Sequence, residues 1–325
     1  MTGGDSGGER DDGLPPVELE PPDIDRYRGA GPIPWVTTFA ARAPGPHVAI
    51  TAVVHGNELA GAIALDRLFA RAVRPRRGRL SLAFANVEAY RRFDRRDPTA
   101  SRWVDEDLNR LWDPATLAAS RRTVELERAR ELRPWVDDVD LLLDLHSMQS
   151  ASAPLILAGL HAKGIRLAEA TAVPDLIVTD AGHAAGRRLR DYGAFGRPGG
   201  DKAAILVECG QHWARPTAAV AYESAVRFLR ATGAVAADWT ADEVAVARPT
   251  RPRRIEVTEA VAVRTRRFAF TADFRGMEVI QDGGTVIATD GERKVVTPYD
   301  DCVLIMPSRR LWPGQTAVRL GRYRA

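Results

Sequence analysis

A series of short, continuous apolar runs, each set apart from the next by polar or amphipathic stretches, limits what this chain can become more than any other feature. The runs are HVAITAVV at 47–54, RLSLAFAN at 79–86, VDLLLDL at 139–145, PLILAG at 154–159, DLIVT at 175–179 and AAILVEC at 203–209. Helical patterns occupy about 59–72, 114–136, 162–172 and 217–232. A strand that is apolar at every position has no face left for water, so it is covered on both sides. The alternation predicts an α/β fold, a mixed, mostly parallel sheet with helices on both faces.

After Trp239 the texture changes. A Pro/Arg-rich linker at 248–254 leads into short alternating runs such as IEVTEAVAV and RRFAFTADF, with turn signals at 281–284, 289–292 and 298–301. This predicts a small all-β domain over 250–325, set behind a catalytic unit over 23–240. Residues 1–22 hold five Gly, four Pro and six acidic side chains, the composition of a mobile tail. No internal repeat or heptad pattern is present, which excludes a solenoid and a coiled coil.

Charge excludes more than it suggests. The net charge of +3 arises because residues 248–325 carry 15 basic and nine acidic side chains while the rest of the chain is net acidic. Only Lys163, Lys202 and Lys294 are lysines, a skew that reads as composition and not as a phosphate-binding surface. No nucleic-acid partner is expected. No stretch reaches the roughly 18 apolar residues of a membrane span, and the polar, acidic start is unlike a signal peptide, so no membrane partner and a cytoplasmic location are expected. Cys209 and Cys302 lie in different segments without CxxC spacing, which predicts two buried thiols.

Ligands of open α/β sheets bind beyond the carboxyl ends of the strands, which directs attention to the residues that follow each apolar run. The first run ends in His55-Gly56-Asn57-Glu58. An imidazole and a carboxylate three residues apart on a strand-to-helix turn can face one cation; alternatively, Glu58 is a helix-start acid favoured by the dipole. The run VDLLLDL is followed by His146. Together the two strand ends supply His55, Glu58 and His146, the ligand set of catalytic zinc sites that keep a fourth position open. Asp144, two residues before His146, shares its face of the strand and could orient it, or could be an ordinary paired strand-end acid.

Glu208 ends the run AAILVEC. A carboxyl there is partly desolvated and its pKa rises, as a general base requires, unless a salt bridge holds it. The segment RWVDEDLNRLW at 102–112 is too polar for core and too aromatic for a simple linker. Arginine forks hold carboxylates and stabilise oxyanions, which makes Arg102 and Arg110 candidate clamps. Six arginines face five acids over 91–110, so a solvated, salt-bridged loop competes with that reading.

HGNE at 55–58, RWVDEDLNRLW at 102–112, LDLHS at 143–147 and LVECG at 206–210 together resemble the succinylglutamate desuccinylase/aspartoacylase family. The resemblance covers about residues 47–230 and continues more weakly through DGERKVVTPYDDCVLIMP. It implies a zinc carboxypeptidase-like catalytic domain and a zinc-dependent amidohydrolase that deacylates a small acidic N-acyl amino acid. By position it makes His55, Glu58 and His146 the ligands of one Zn2+ per chain and Glu208 the general base. Arg102 polarises the amide carbonyl, and Asn109 and Arg110 grip a substrate carboxylate. Arg197 is a further candidate within 186–202, and Tyr299 and Trp312 are candidates for closing the pocket. Two other readings remain: a zinc carboxypeptidase acting on peptides, which needs an open cleft, and a non-catalytic binding protein on the same fold.

Overall fold

The computed structural model describes residues 14–324 except 30, 183–184, 241, 246–251 and 310. Residues 1–13 of the expected tail and 248–251 of the expected linker lie outside the described residues. Residues 14–22 are not tail-like. Leu19 is buried in the main core, Glu18 N donates to Trp213 O (3.0 Å), and Tyr90 Oη donates to Pro22 O (2.8 Å).

The elements run β1 (Val36–Ala40), β2 (His47–Ala52), α1 (Leu59–Ala70), β3 (Arg79–Phe84), α2 (Val87–Tyr90), α3 (Pro114–Ala118), α4 (Val124–Asp138) and β4 (Leu141–Met148). They continue with β5 (Leu155–Leu157), α5 (Ala162–Thr171), β6 (Leu176–Thr179), β7 (Ala203–Gln211), α6 (Arg215–Ala231) and β8 (Arg253–Ala262). The chain ends in β9 (Phe268–Phe270), β10 (Glu278–Ile280), β11 (Val286–Asp290), β12 (Arg293–Val296), β13 (Cys302–Ile305) and β14 (Thr316–Arg324). Every apolar run of the sequence forms a strand. The helix expected over 114–136 is two helices, because Asp113 accepts from Thr116 N and Thr123 from Leu126 N, so each starts its own cap. β1 was not expected: it lies at the sheet edge, partly exposed, and lacks a continuous apolar run.

The fold is the expected mixed α/β. An 11-stranded sheet has the order β1-β3-β2-β4-β7-β5-β6-β8-β14-β13-β10, with β3, β2, β4 and β7 parallel to one another. Helices α1, α5 and α6 pack on one face around Leu65, Leu167 and Phe228, and α4 packs on the other around Leu126 and Leu132. The β region begins at β8, which pairs with β6 in parallel, so the sheet continues through the change of texture. Ile255, Val303 and Ile305 share a core cluster with Leu155, Leu176 and Leu206 across that join. A three-stranded sheet, β12-β11-β9, completes the region. Cys209 and Cys302 are free and buried.

Candidate active site

Strand periodicity places the site. In β4, Leu142 packs toward α4, and the residues two and four further on, Asp144 and His146, lie on the same face. In β7, Ala204 packs on that face, and Glu208 is four residues beyond it. The register pairs His146 directly with Glu208 and Thr51 with Asp144. Toward the carboxyl end of the sheet this face therefore turns from apolar to ionisable.

The turn after β2 delivers the other groups. Gly56 makes it possible: a Cβ there would stand 2.3–2.5 Å from backbone atoms of Ala89, Ser101 and Tyr90. Glu58 occupies the N-cap position of α1 but makes no cap with its side chain. Its carboxylate turns inward instead, with Oε1 2.7 Å from His55 Nδ1 and Oε2 3.0 Å from His146 Nδ1. Ser147 N also donates to Oε2, at 3.1 Å. Candidate ligand atoms of His55, Glu58 and His146 all lie within 4.8 Å of one another, and all three side chains are buried.

Both imidazoles turn Nδ1 inward and are held from behind through Nε2. His146 Nε2 is 3.0 Å from Asp144 Oδ2, whose other oxygen accepts from Thr51 Oγ1 at 2.5 Å. His55 Nε2 is 2.9 Å from Asp107 Oδ1 and 3.0 Å from Arg102 Nη2. Two imidazoles with carboxylates behind them, plus one carboxylate, form a donor set suited to zinc with an open position. Burial opposes ionisation of Glu58, but His55 and His146 outweigh it and hold the carboxyl well below its usual range. Burial likewise works against a charged His146, yet Asp144 and Glu58 keep its pKa well above 6.5. Asp107 is held low by His55 and Arg102 against the effect of burial.

Glu208 differs from these acids. Burial pushes its carboxyl up to about 8; His146 pulls it down and Glu58 adds to the rise. Its Oε2 is buried without a hydrogen-bond partner among the described residues, and the side chain lines the cavity. This has a consequence for stability. Below about 4.5 the group is protonated whether the chain is folded or not, and between that value and about 8 only the unfolded chain ionises. Chelator-treated wild type should therefore lose stability relative to Glu208→Gln as pH rises through this window. Thermal melts at pH 4.5, 6.5 and 8.5 check this, and a gap that stays constant counts against it.

The cavity, of about 560 Å³, is lined by the three candidate ligands together with Glu208, Arg102, Asn109 and Arg110. The carboxamide of Asn109 is held by its oxygen, where Oδ1 accepts from Leu189 N (2.8 Å), and its Nδ2 lies 3.4 Å from His146 Nε2. Arg110 donates from Nη1 to Asn109 O. Burial, with neighbouring Arg102, Arg188 and Arg319, lowers its pKa to about 10 against the pull of Asp107. Trp312 lines the cavity, whereas Arg197 and Tyr299 do not; Tyr299 instead bonds Thr258 Oγ1 at 2.5 Å.

Sequence reasoning missed Asp107, which backs His55, and three further groups. Asp180 is buried and receives a two-pronged bond from Arg188 (2.9 and 2.7 Å), and Arg319 of β14 lies 3.6 Å from it through Nε. Asp180 follows the run DLIVT directly, so the strand-end rule that found His146 could have found it. Arg188 and Arg319 carry no comparable signal.

Fold and site first define a class: a mixed α/β protein with a candidate metal centre and a poised carboxyl at the carboxyl ends of neighbouring parallel strands. The chain belongs to the succinylglutamate desuccinylase/aspartoacylase family, a family of hydrolases, whose catalytic-domain model matches residues 44–233. Three solved structures place that kinship in the fold. One is a succinylglutamate desuccinylase from Vibrio parahaemolyticus (16% identity, TM-score 0.65, covering 89% of this chain and 86% of that one). A second, a succinylglutamate desuccinylase/aspartoacylase from Rhodobacter sphaeroides, gives 19% identity and TM-score 0.61 over 90% and 89% of the two chains. A product-bound ectoine utilization protein from Ruegeria pomeroyi gives 17%, 0.61, and 88% of each. Comparison with the curated proteins gives no match. Among the described residues, no helix is long and apolar enough to cross a membrane.

Proposed function

We propose that the protein is a zinc-dependent amidohydrolase that removes the acyl group from a small acidic N-acyl amino acid. The observation that carries this reading is the pairing of Glu208 with the histidine–glutamate cluster. A carboxyl raised to about 8, with one oxygen unpartnered, sits in register beside His146, within a cavity shared by all three candidate ligands. His55 and His146 through Nδ1, with the Glu58 carboxylate, would hold one Zn2+. Zinc, when bound, supplies Lewis acidity and makes water a nucleophile near neutral pH.

The chain's own groups supply the rest. Glu208 takes the proton from the attacking water and returns it to the leaving amine. Arg102, partly exposed in the cavity and braced by Asp107 at 3.3 Å, donates to the oxygen on which negative charge develops. Arg110 binds a substrate carboxylate; crowding by three other arginines makes an anion there favourable. Asn109 orients the arginine through its backbone oxygen, and its side chain fixes the 189 turn.

The β region walls the cavity with Met306, Trp312 and Arg319, which suits a small substrate better than a peptide. The test is metal analysis of the purified protein together with release of free amino acid from a panel of N-acetyl and N-succinyl amino acids. About one zinc per chain with turnover on an acidic member supports the reading. Turnover of peptides alone moves the assignment to a carboxypeptidase, and a protein that takes up no metal overturns it.

A further inference from the structure

Glu125, a buried acid that this chemistry leaves unused, lies in the first turn of α4 and is fully buried. Four N–H donors meet its charge. Oε1 accepts from Val104 N (2.6 Å) and Asn86 Nδ2 (3.0 Å), and Oε2 accepts from Asp105 N (3.0 Å) and Glu106 N (3.2 Å). The loop answers in kind: Asp105 Oδ2 accepts from Val124 N at 2.7 Å, and Glu106 Oε1 from Thr123 Oγ1 at 2.5 Å. A buried carboxylate is tolerable only when its hydrogen bonds are made, so three consecutive backbone amides are pinned to one point.

The residues at the two ends of that pinned loop matter. Arg102 precedes it and Asp107 follows it, and both reach His55 Nε2. Asn86, the fourth donor, also gives its backbone N–H to Val53 O, close to the end of β2 from which His55 hangs. One carboxylate thus references the loop that carries Arg102 and Asp107 to the strand end that carries their histidine partner.

We infer that Glu125 is a positioning residue that sets Arg102 and Asp107 against His55. This rests on the reading that Arg102 acts on the substrate. The experiment combines Glu125→Gln, which turns an amide NH2 toward N–H donors, with Arg102→Ala and the double variant, each assayed on the best substrate of the panel. Hydrogen exchange over 103–107 is followed in parallel. The expected results are exchange at least about 10-fold faster in that loop with little change elsewhere, and a kcat about 10- to 100-fold lower with a smaller change in KM. In the Arg102→Ala background the same change should cost little more, and Glu125→Asp should recover part of the loss.

Faster exchange with unchanged kcat overturns the inference, and so does an equal loss with and without Arg102. If Glu125→Gln does not fold, Glu125→Asp carries the same measurements. A wild type that releases no amino acid from any substrate defeats the acylase reading alone. The clamp is then judged on a structure of the variant: an Arg102 displaced from His55 supports it, and one still 3.0 Å from Nε2 overturns it.

Discussion

Replacing Glu208 by glutamine is expected to leave a folded protein that binds metal as the wild type does and turns over substrate roughly 100- to 10,000-fold more slowly. The size follows from what glutamine keeps and loses. It matches glutamate in shape and can still accept one hydrogen bond, but it cannot take a proton from water or return one to the leaving amine. The loss should fall on kcat with KM little changed, because substrate carboxylate binding is assigned to a different cavity-lining residue, Arg110. His146→Ala is the contrasting variant: it removes a proposed ligand, so metal content and activity should fall together. A Glu208→Gln enzyme within about 10-fold of wild type would remove Glu208 from the chemistry, however high its pKa.

Much of this site was legible because strand ends were legible. Continuous apolar runs announce their own termini, and the polar residue after each one lies at the carboxyl edge. His55, Glu58, His146 and Glu208 come together in one cavity as that rule expects. The spacing of Asp144 and His146 correctly put both on one face, where Asp144 contacts the imidazole from behind. Asp107 was harder. It sits in a charge-rich loop where any of five acids could pair with any of six arginines, and only the folded path of the loop selects it as the partner of His55.

What stayed hidden depends on distant pairing. Nothing in β8 marks it as the parallel neighbour of β6, because the pairing joins segments distant in the chain, Leu176 with Arg253 and Thr179 with Glu256. The packed segment 14–22 was masked by its own composition: prolines and acids look like tail, yet Leu19 is buried in the core with Leu14 and Val17 packed against it. Glu125 reads as an ordinary helix-start acid, and its role arises from backbone amides about 20 residues earlier that no side-chain pattern reveals.

Arg188→Met should be the most destabilising single change at the cavity wall, at about 3–5 kcal/mol, with a fall in Tm on the order of 10 °C. Burial works against a charged Arg188, but Asp180 and Asp191 outweigh it and raise its pKa further. Asp180, equally buried, is held well below the usual carboxylate range by Arg188 despite its desolvation. Removing the arginine leaves that charge with Arg319 at 3.6 Å and no two-pronged partner. The same cluster ties Asp180 and Arg188 to Arg319 of β14, so the wall contributed by the β region should loosen as well. In the double variant Asp180→Leu/Arg188→Met the unpaired carboxylate is gone and part of the stability should return, the remainder being lost because Arg319 gives up its ion pair with Asp180 at 3.6 Å. KM should remain raised in that variant, because Leu189, next in the chain, no longer holds Asn109 in a fixed place. Chemical denaturation and steady-state kinetics on the two variants separate these effects. A single variant less than about 1 kcal/mol below wild type would mean that solvent reaches Asp180.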